Sequence, residues 1–199
     1  MSNTLALFWN LAATDREARI DASNELVNAL LQQSSDIGNV DDTTLMESPL
    51  SEQVTDDEVA GAEQRIDNAN TQDVSYAIRR LVRGLASPRE NARIGFAVAL
   101  SGLLTHLKTV SANDVLVLLL KYSVVHGNMN GQEVRDLQFA RLFGIYALVR
   151  SRLLYRACLS TFQRAFHILI HVASYKSWLS EPCGWVLTCL LYTSPSPRD

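Results

Sequence analysis

Three helix-start signals follow one another at residues 87, 111 and 133, spaced by 24 and 22 residues. That rhythm constrains the chain more than any other feature. Ser87-Pro88-Arg89-Glu90 joins a capping hydroxyl, a proline whose preset φ suits the first helical position, and a glutamate two residues further on. Ser111-Ala112-Asn113-Asp114 repeats the message, and a third helix opens near Glu133 after the loop Gly127-Asn128-Met129-Asn130-Gly131.

The apolar pattern between the signals is helical. Val74, Ala77, Ile78, Leu81, Val82 and Leu85 recur at three- and four-residue spacing. The helix opened at Ser87 carries Ile94, Val98, Leu103 and Leu104 among small residues that include Gly95 and Gly102. Glycine inside a helix costs about 1 kcal/mol relative to alanine, so these two predict close approach by a neighbouring helix. Residues 115–125 are apolar almost all round, as an interior helix would be. Further helices are expected over 133–151, over 157–175, and from Ser180 onward with Pro182 in the first turn. At the front, Thr14-Asp15-Arg16-Glu17 reads as a capping box opening another helix. Two helices with their loops take about 45 residues, the length of a HEAT or armadillo unit. The expected fold is all-α: a HEAT/armadillo-like α-solenoid of stacked helix pairs, with a compact helical bundle as the structural alternative.

The net charge of −3 hides a strong asymmetry. Residues 36–78 hold eleven acids against one base, Arg65, whereas residues 79–176 hold fourteen bases, eleven of them arginine, against four acids. Each segment therefore carries ten charges of its own sign. The acidic stretch is rich in Ser, Asp, Asn and Thr, which leaves little apolar surface to offset ordering entropy. Residues 36–71 are expected to be a flexible acidic linker or insertion, with a short helix at most around Asp57–Ile66. The helices of 1–35 precede it and the helical-repeat region of 72–188 follows.

No catalytic constellation emerges. His167 and His171 stand four apart on one helix, but Ile168 occupies the position where a zincin carries glutamate. Cys158 and Cys183 are isolated, without a CxxC pair to support zinc. Three cysteines argue against a disulfide framework and for a reducing compartment. Leu5–Ala13 is apolar but no lysine or arginine precedes it, so a signal peptide is not expected. No run offers the roughly 18 clean apolar residues of a membrane span. No metal, cofactor, membrane or small-molecule substrate is expected.

The basic cluster Arg79, Arg80, Arg83, Arg89 and Arg93 is the leading site candidate. It lies at the end of one helix and the start of the next, where a folded-back turn would gather it on one surface. Guanidinium groups suit bidentate contact with phosphate, which makes nucleic acid one reading. A solvated or structural role, with Glu90 or Asp136 as ion-pair partners, is the second. Docking of an acidic protein segment is the third, and the acidic stretch of the same chain could itself cover the basic face.

Three blocks, in order, resemble one family. The stretch Tyr76-Ala77-Ile78-Arg79-Arg80-Leu81-Val82-Arg83-Gly84-Leu85-Ala86-Ser87-Pro88-Arg89-Glu90-Asn91-Ala92-Arg93-Ile94-Gly95-Phe96-Ala97-Val98-Ala99-Leu100 is similar to the N-terminal region of the DNA polymerase phi, or Myb-binding protein 1A, family. Arg135-Asp136-Leu137-Gln138-Phe139-Ala140-Arg141-Leu142-Phe143-Gly144 resembles a second block, with Ala140 where the family has glycine. Lys176-Ser177-Trp178-Leu179-Ser180-Glu181-Pro182-Cys183-Gly184-Trp185 resembles a third, with Ser180 where a basic residue is usual. The resemblance implies a helical-repeat body in the nucleus and nucleolus. It also implies a non-enzymatic scaffold in ribosomal RNA gene transcription and ribosome biogenesis. Nucleolar proteins, transcription factors, and rDNA or RNA are the partners it implies. The polymerase name suggests a DNA-synthesising enzyme instead, yet no carboxylate pair in an apolar setting accompanies it here. A cytosolic helical-repeat adaptor is the third alternative.

Residues 189–199, Cys-Leu-Leu-Tyr-Thr-Ser-Pro-Ser-Pro-Arg-Asp, break the helical pattern without a cap. They resemble the translation of a transposase sequencing adapter. They are expected to be an artefact joined to a native chain that continues past about Leu187.

Overall fold

A computed structural model describes residues 2–33 and 51–192. Among these residues every regular element is helical. The α-helices are α1 (Ser2–Asn10), α2 (Arg16–Gln33), α3 (Asp56–Ala69), α4 (Gln72–Gly84), α5 (Glu90–His106), α6 (Ala112–Tyr122), α7 (Gly131–Arg150), α8 (Leu159–Tyr175) and α9 (Ser177–Tyr192). A 3-10 turn, Leu154–Arg156, links α7 to α8.

The helices stack as pairs in two layers. Within pairs, α4 packs on α5, α6 on α7 and α8 on α9. Between pairs, α4, α6 and α8 contact in succession on one side, and α2, α5, α7 and α9 on the other. The chain is thus an all-α helical-repeat solenoid, and its buried side chains form one continuous core from Phe8 to Leu190. Helix α6 explains its own composition. It touches α3, α4, α7 and α8, so Val115 through Leu120 are all buried and a polar face would have nowhere to go. At about 1.5–3 kcal/mol per buried aliphatic side chain, this short helix contributes far more by packing than by propensity.

The start signals are real, but their roles shift by a residue or two. Ser111 caps α6, its Oγ accepting from the Asp114 N–H at 3.2 Å. At α2 the cap passes from Thr14 to Asp15, whose Oδ2 accepts from the Ala18 N–H at 2.8 Å. At α5 the N-cap is Arg89, with no side-chain cap; Ser87 instead accepts from the Arg89 N–H at 3.3 Å and closes the preceding turn. A full capping box between Asn130 and Glu133 starts α7 at Gly131, ahead of the expected position. Helix α9 also starts early, at Ser177, which puts Pro182 inside the helix, where one backbone hydrogen bond is lost, and not in its first turn.

The expected linker differs most. Residues 34–50 lie outside the described residues, but its second half contains the folded helix α3, which includes and extends the short helix expected around Asp57–Ile66. Thr55 and Glu58 form a reciprocal capping box, and Ala62 and Ile66 are buried against α6 and α4. Of the suspected artefact, residues 193–199 lie outside the described residues and residues 189–192 continue α9.

Candidate nucleic-acid interface

Tyr76, Arg79, Arg80 and Arg83 recur at helical spacing and so share one stripe of α4. With Gly84, Phe96 of α5 and Tyr122 of α6 they line an open cleft of about 430 Å³. Gly84 matters to its shape, since a Cβ there would sit 2.5 Å from the Phe96 ring. Glycine lets that ring lie directly against the end of α4.

The three cleft arginines differ in freedom. Arg80 is held from both sides: its guanidinium lies 4.6 Å from the Phe8 ring centroid, and Nη1 donates to the Tyr76 hydroxyl at 2.6 Å. Phe8 and Tyr76 meet edge to face, which completes a small cationic-aromatic stack. Arg79 donates to the Asp67 carboxylate and lies 4.0 Å from Glu63. The hydrogen bond from Arg79 holds the Asp67 carboxyl below its usual range. Arg83 is exposed and makes no ion pair among the described residues.

The other two predicted residues do not join them. Arg89 is exposed at the start of α5 and does not line the cleft. Arg93 is a correction: it is inside the protein, 4% exposed. Its Nη1 donates to the Ser87 carbonyl at 2.7 Å and to Asp136 Oδ1 at 3.0 Å, and its guanidinium lies over Phe139. Starting α5 at Glu90 turns position 93 toward α7, so Arg93 ties two layers of the stack together. Sequence reasoning misses Tyr76, Phe96 and Tyr122. The spacing of Tyr76 to Arg79, Arg80 and Arg83 carries a usable signal; the other two rings come from separate helices.

The acidic stretch lies across the opposite charges of the body. Asp67 and Glu63 meet Arg79 of α4, and Glu63 also accepts from Lys121 of α6 at 2.7 Å. Glu58 pairs with Arg164 of α8 at 3.2 Å, and Glu52 with Arg141 of α7 at 2.8 Å and His171 of α8 at 2.9 Å. Arg65 returns the pattern in reverse, reaching Asp114 of α6. Residues 51–69 therefore form a strap over α4, α6 and α8. It neutralises several of the body's cations and leaves Arg80 and Arg83 without a carboxylate.

Among the described residues no group of three or more His, Cys, Asp or Glu is placed to hold a metal ion. His171 is engaged by Glu52, and His167 is exposed on the same helix. Among the described residues no helix is long and apolar enough to cross a membrane.

These features define a helical-repeat protein in which three arginines of one helix gather beside aromatic rings. The chain belongs to the DNA polymerase phi family, whose profile matches residues 76–198. It is 40% identical over 140 residues to the rDNA transcriptional regulator pol5 of Schizosaccharomyces pombe, covering 69% of this chain and 15% of that protein. It is 30% identical over 137 residues to the rDNA transcriptional regulator POL5 of Saccharomyces cerevisiae, covering 57% of this chain and 13% of that protein. Against Myb-binding protein 1A of Rattus norvegicus the identity is 28% over 148 residues, covering 74% and 8% of the two chains. The chain thus spans about a seventh or less of these relatives. No solved structure matches it.

Proposed function

We propose that this chain is a helical-repeat segment of a non-enzymatic nucleolar scaffold. Its process is ribosomal RNA gene transcription and ribosome biogenesis, and it touches single-stranded nucleic acid through the α4–α5–α6 cleft. The observation that carries the contact is the cleft itself: Arg80 and Arg83, free of carboxylates, beside Tyr76, Phe96 and Tyr122. Guanidinium groups meet phosphates, and the exposed Tyr76 ring, beside the half-buried Phe96 and Tyr122, offers a stacking plane to a base. The names of the relatives support the process, and they describe transcriptional regulators, not polymerases. The nucleus and nucleolus, nucleolar proteins and transcription factors follow from the same reading.

Arg79 belongs to the cleft wall but is engaged by Asp67, so the main load falls on Arg80 and Arg83. Replacing both with glutamine should weaken binding of a single-stranded oligonucleotide. It should also flatten the slope of log affinity against log salt by about 1.4, at about 0.7 per phosphate contact. Fluorescence anisotropy across a salt series measures both, and an unchanged slope would remove nucleic acid from this cleft. The polymerase reading requires metal-dependent nucleotide incorporation by the full-length protein, abolished by changing one carboxylate pair. A cytosolic location of that protein would favour the adaptor reading.

A further inference from the structure

A second cleft, of about 350 Å³, lies at the far end of α7. Tyr146, Val149, Arg150 and Arg152 line it from α7 and the turn that follows, and Trp185 lines it from α9. We propose that this cleft is a second site for single-stranded nucleic acid, in which a base stacks on Trp185 while Arg150 and Arg152 hold the adjoining phosphate.

The volume falls in the range of small-ligand pockets. The Tyr146 and Trp185 ring centroids are 5.4 Å apart with planes inclined at 42°, which makes a shallow aromatic wall and not a closed stack. Trp185 is 55% exposed among the described residues. Arg150 and Arg152 are both exposed, and among the described residues neither makes an ion pair. Among the described residues no carboxylate lines the cleft, so nothing on its walls competes for the two cations.

Arg152 adds an independent observation. Its φ is 61°, the one left-handed non-glycine residue among those described. It follows the α7 C-cap, Ser151, at the position where helices usually end in glycine, and its N–H donates to the Val149 carbonyl. A large side chain is strained there, and such strain concentrates at binding sites. Glycine would serve the turn better; the arginine serves the cleft. The pairing of stacking plane and guanidinium is the chemistry of single-strand binding. A phosphorylated peptide would satisfy the arginines and leave the indole unused.

The proposal shares its ligand class with the reading of the first cleft, so the experiment separates the two. Anisotropy of a labelled short oligothymidylate is measured with the whole chain and with Arg152→Gly, Trp185→Leu and Arg80→Gln/Arg83→Gln variants. Stacking and phosphate contacts of this kind predict about tenfold weaker binding for each second-cleft variant. Arg152→Gly is the sharper of these, because it relieves strain: its thermal midpoint should equal or exceed that of the parent while its affinity falls. Loss of affinity in Arg152→Gly and Trp185→Leu, with none in Arg80→Gln/Arg83→Gln, would sustain the second cleft and sink the first. Full affinity in a stable Arg152→Gly protein would overturn the second cleft, as would equal competition by a phosphopeptide that carries no base.

Discussion

Replacing Gly95 with alanine should destabilise the protein by about 3 kcal/mol, the upper range for forcing extra volume into a packed interior. The usual expectation for a helix interior is the reverse, since alanine outranks glycine there by about 1 kcal/mol. The sign changes because of what stands opposite. A Cβ at position 95 would fall on the carbonyl oxygen of Leu11, with the Leu11 carbonyl carbon only 2.9 Å away. That neighbour is backbone in the turn between α1 and α2, and Leu11 is fully buried, so no side-chain rotation relieves the clash. Relief requires α1 and α2 to lift from α5. Gly184 is the internal control: it sits at an exposed position of α9, and a methyl group added there would meet nothing within 4 Å. Gly184→Ala should therefore stabilise by up to about 1 kcal/mol. Urea unfolding of both variants gives the comparison. For a chain of this size the first should lower the thermal midpoint by about 6–12 °C. Equal effects of the two substitutions would show that α5 does not receive the α1–α2 turn as described.

This contact also shows what the sequence could and could not reveal. Two glycines in an otherwise helical pattern signal close approach, but not by which element; the α1–α2 turn lies more than eighty residues earlier in the chain. The all-round apolar run of α6 marks an interior helix, and that is where it lies. Helix α3 is obscured because its apolar side is narrow, reduced mainly to Ala62 and Ile66, and because its other partners are bases far along the chain. Thr55-Asp56-Asp57-Glu58 still carries the local signature of a capping box. The arginine cluster divides for the same reason. Arg79, Arg80 and Arg83 share a helix face that spacing alone defines, whereas the fate of Arg93 depends on Asp136 and Phe139 of another helix.

Replacing Glu58 with alanine tests whether the acidic strap is anchored or merely attracted. Glu58 has two tasks: one oxygen accepts from the Thr55 N–H at 3.0 Å to close the α3 cap, and the other faces Arg164 at 3.2 Å. Arg164 is fully buried, and its remaining described contacts are the Ser51 and Gln53 carbonyls of the same strap. Removing the carboxylate leaves a buried cation without its counter-ion, a change that costs about 3–5 kcal/mol in other proteins. Glu58 itself is 25% exposed, so water returns part of that, and about 3 kcal/mol is the expected loss, cap included. Glu63→Ala breaks a pair with Lys121 whose members are 29% and 35% exposed, and should cost no more than about 1 kcal/mol. The double variant Glu58→Ala/Arg164→Met should recover part of the loss, because the buried charge is gone as well. If Glu58→Ala costs no more than Glu63→Ala, the strap rests on the body by diffuse attraction alone. If the difference appears, the strap is part of the fold. Its acids then remove Arg79, Lys121, Arg141 and Arg164 from the cations a ligand can reach, leaving Arg80 and Arg83 at one cleft and Arg150 and Arg152 at the other.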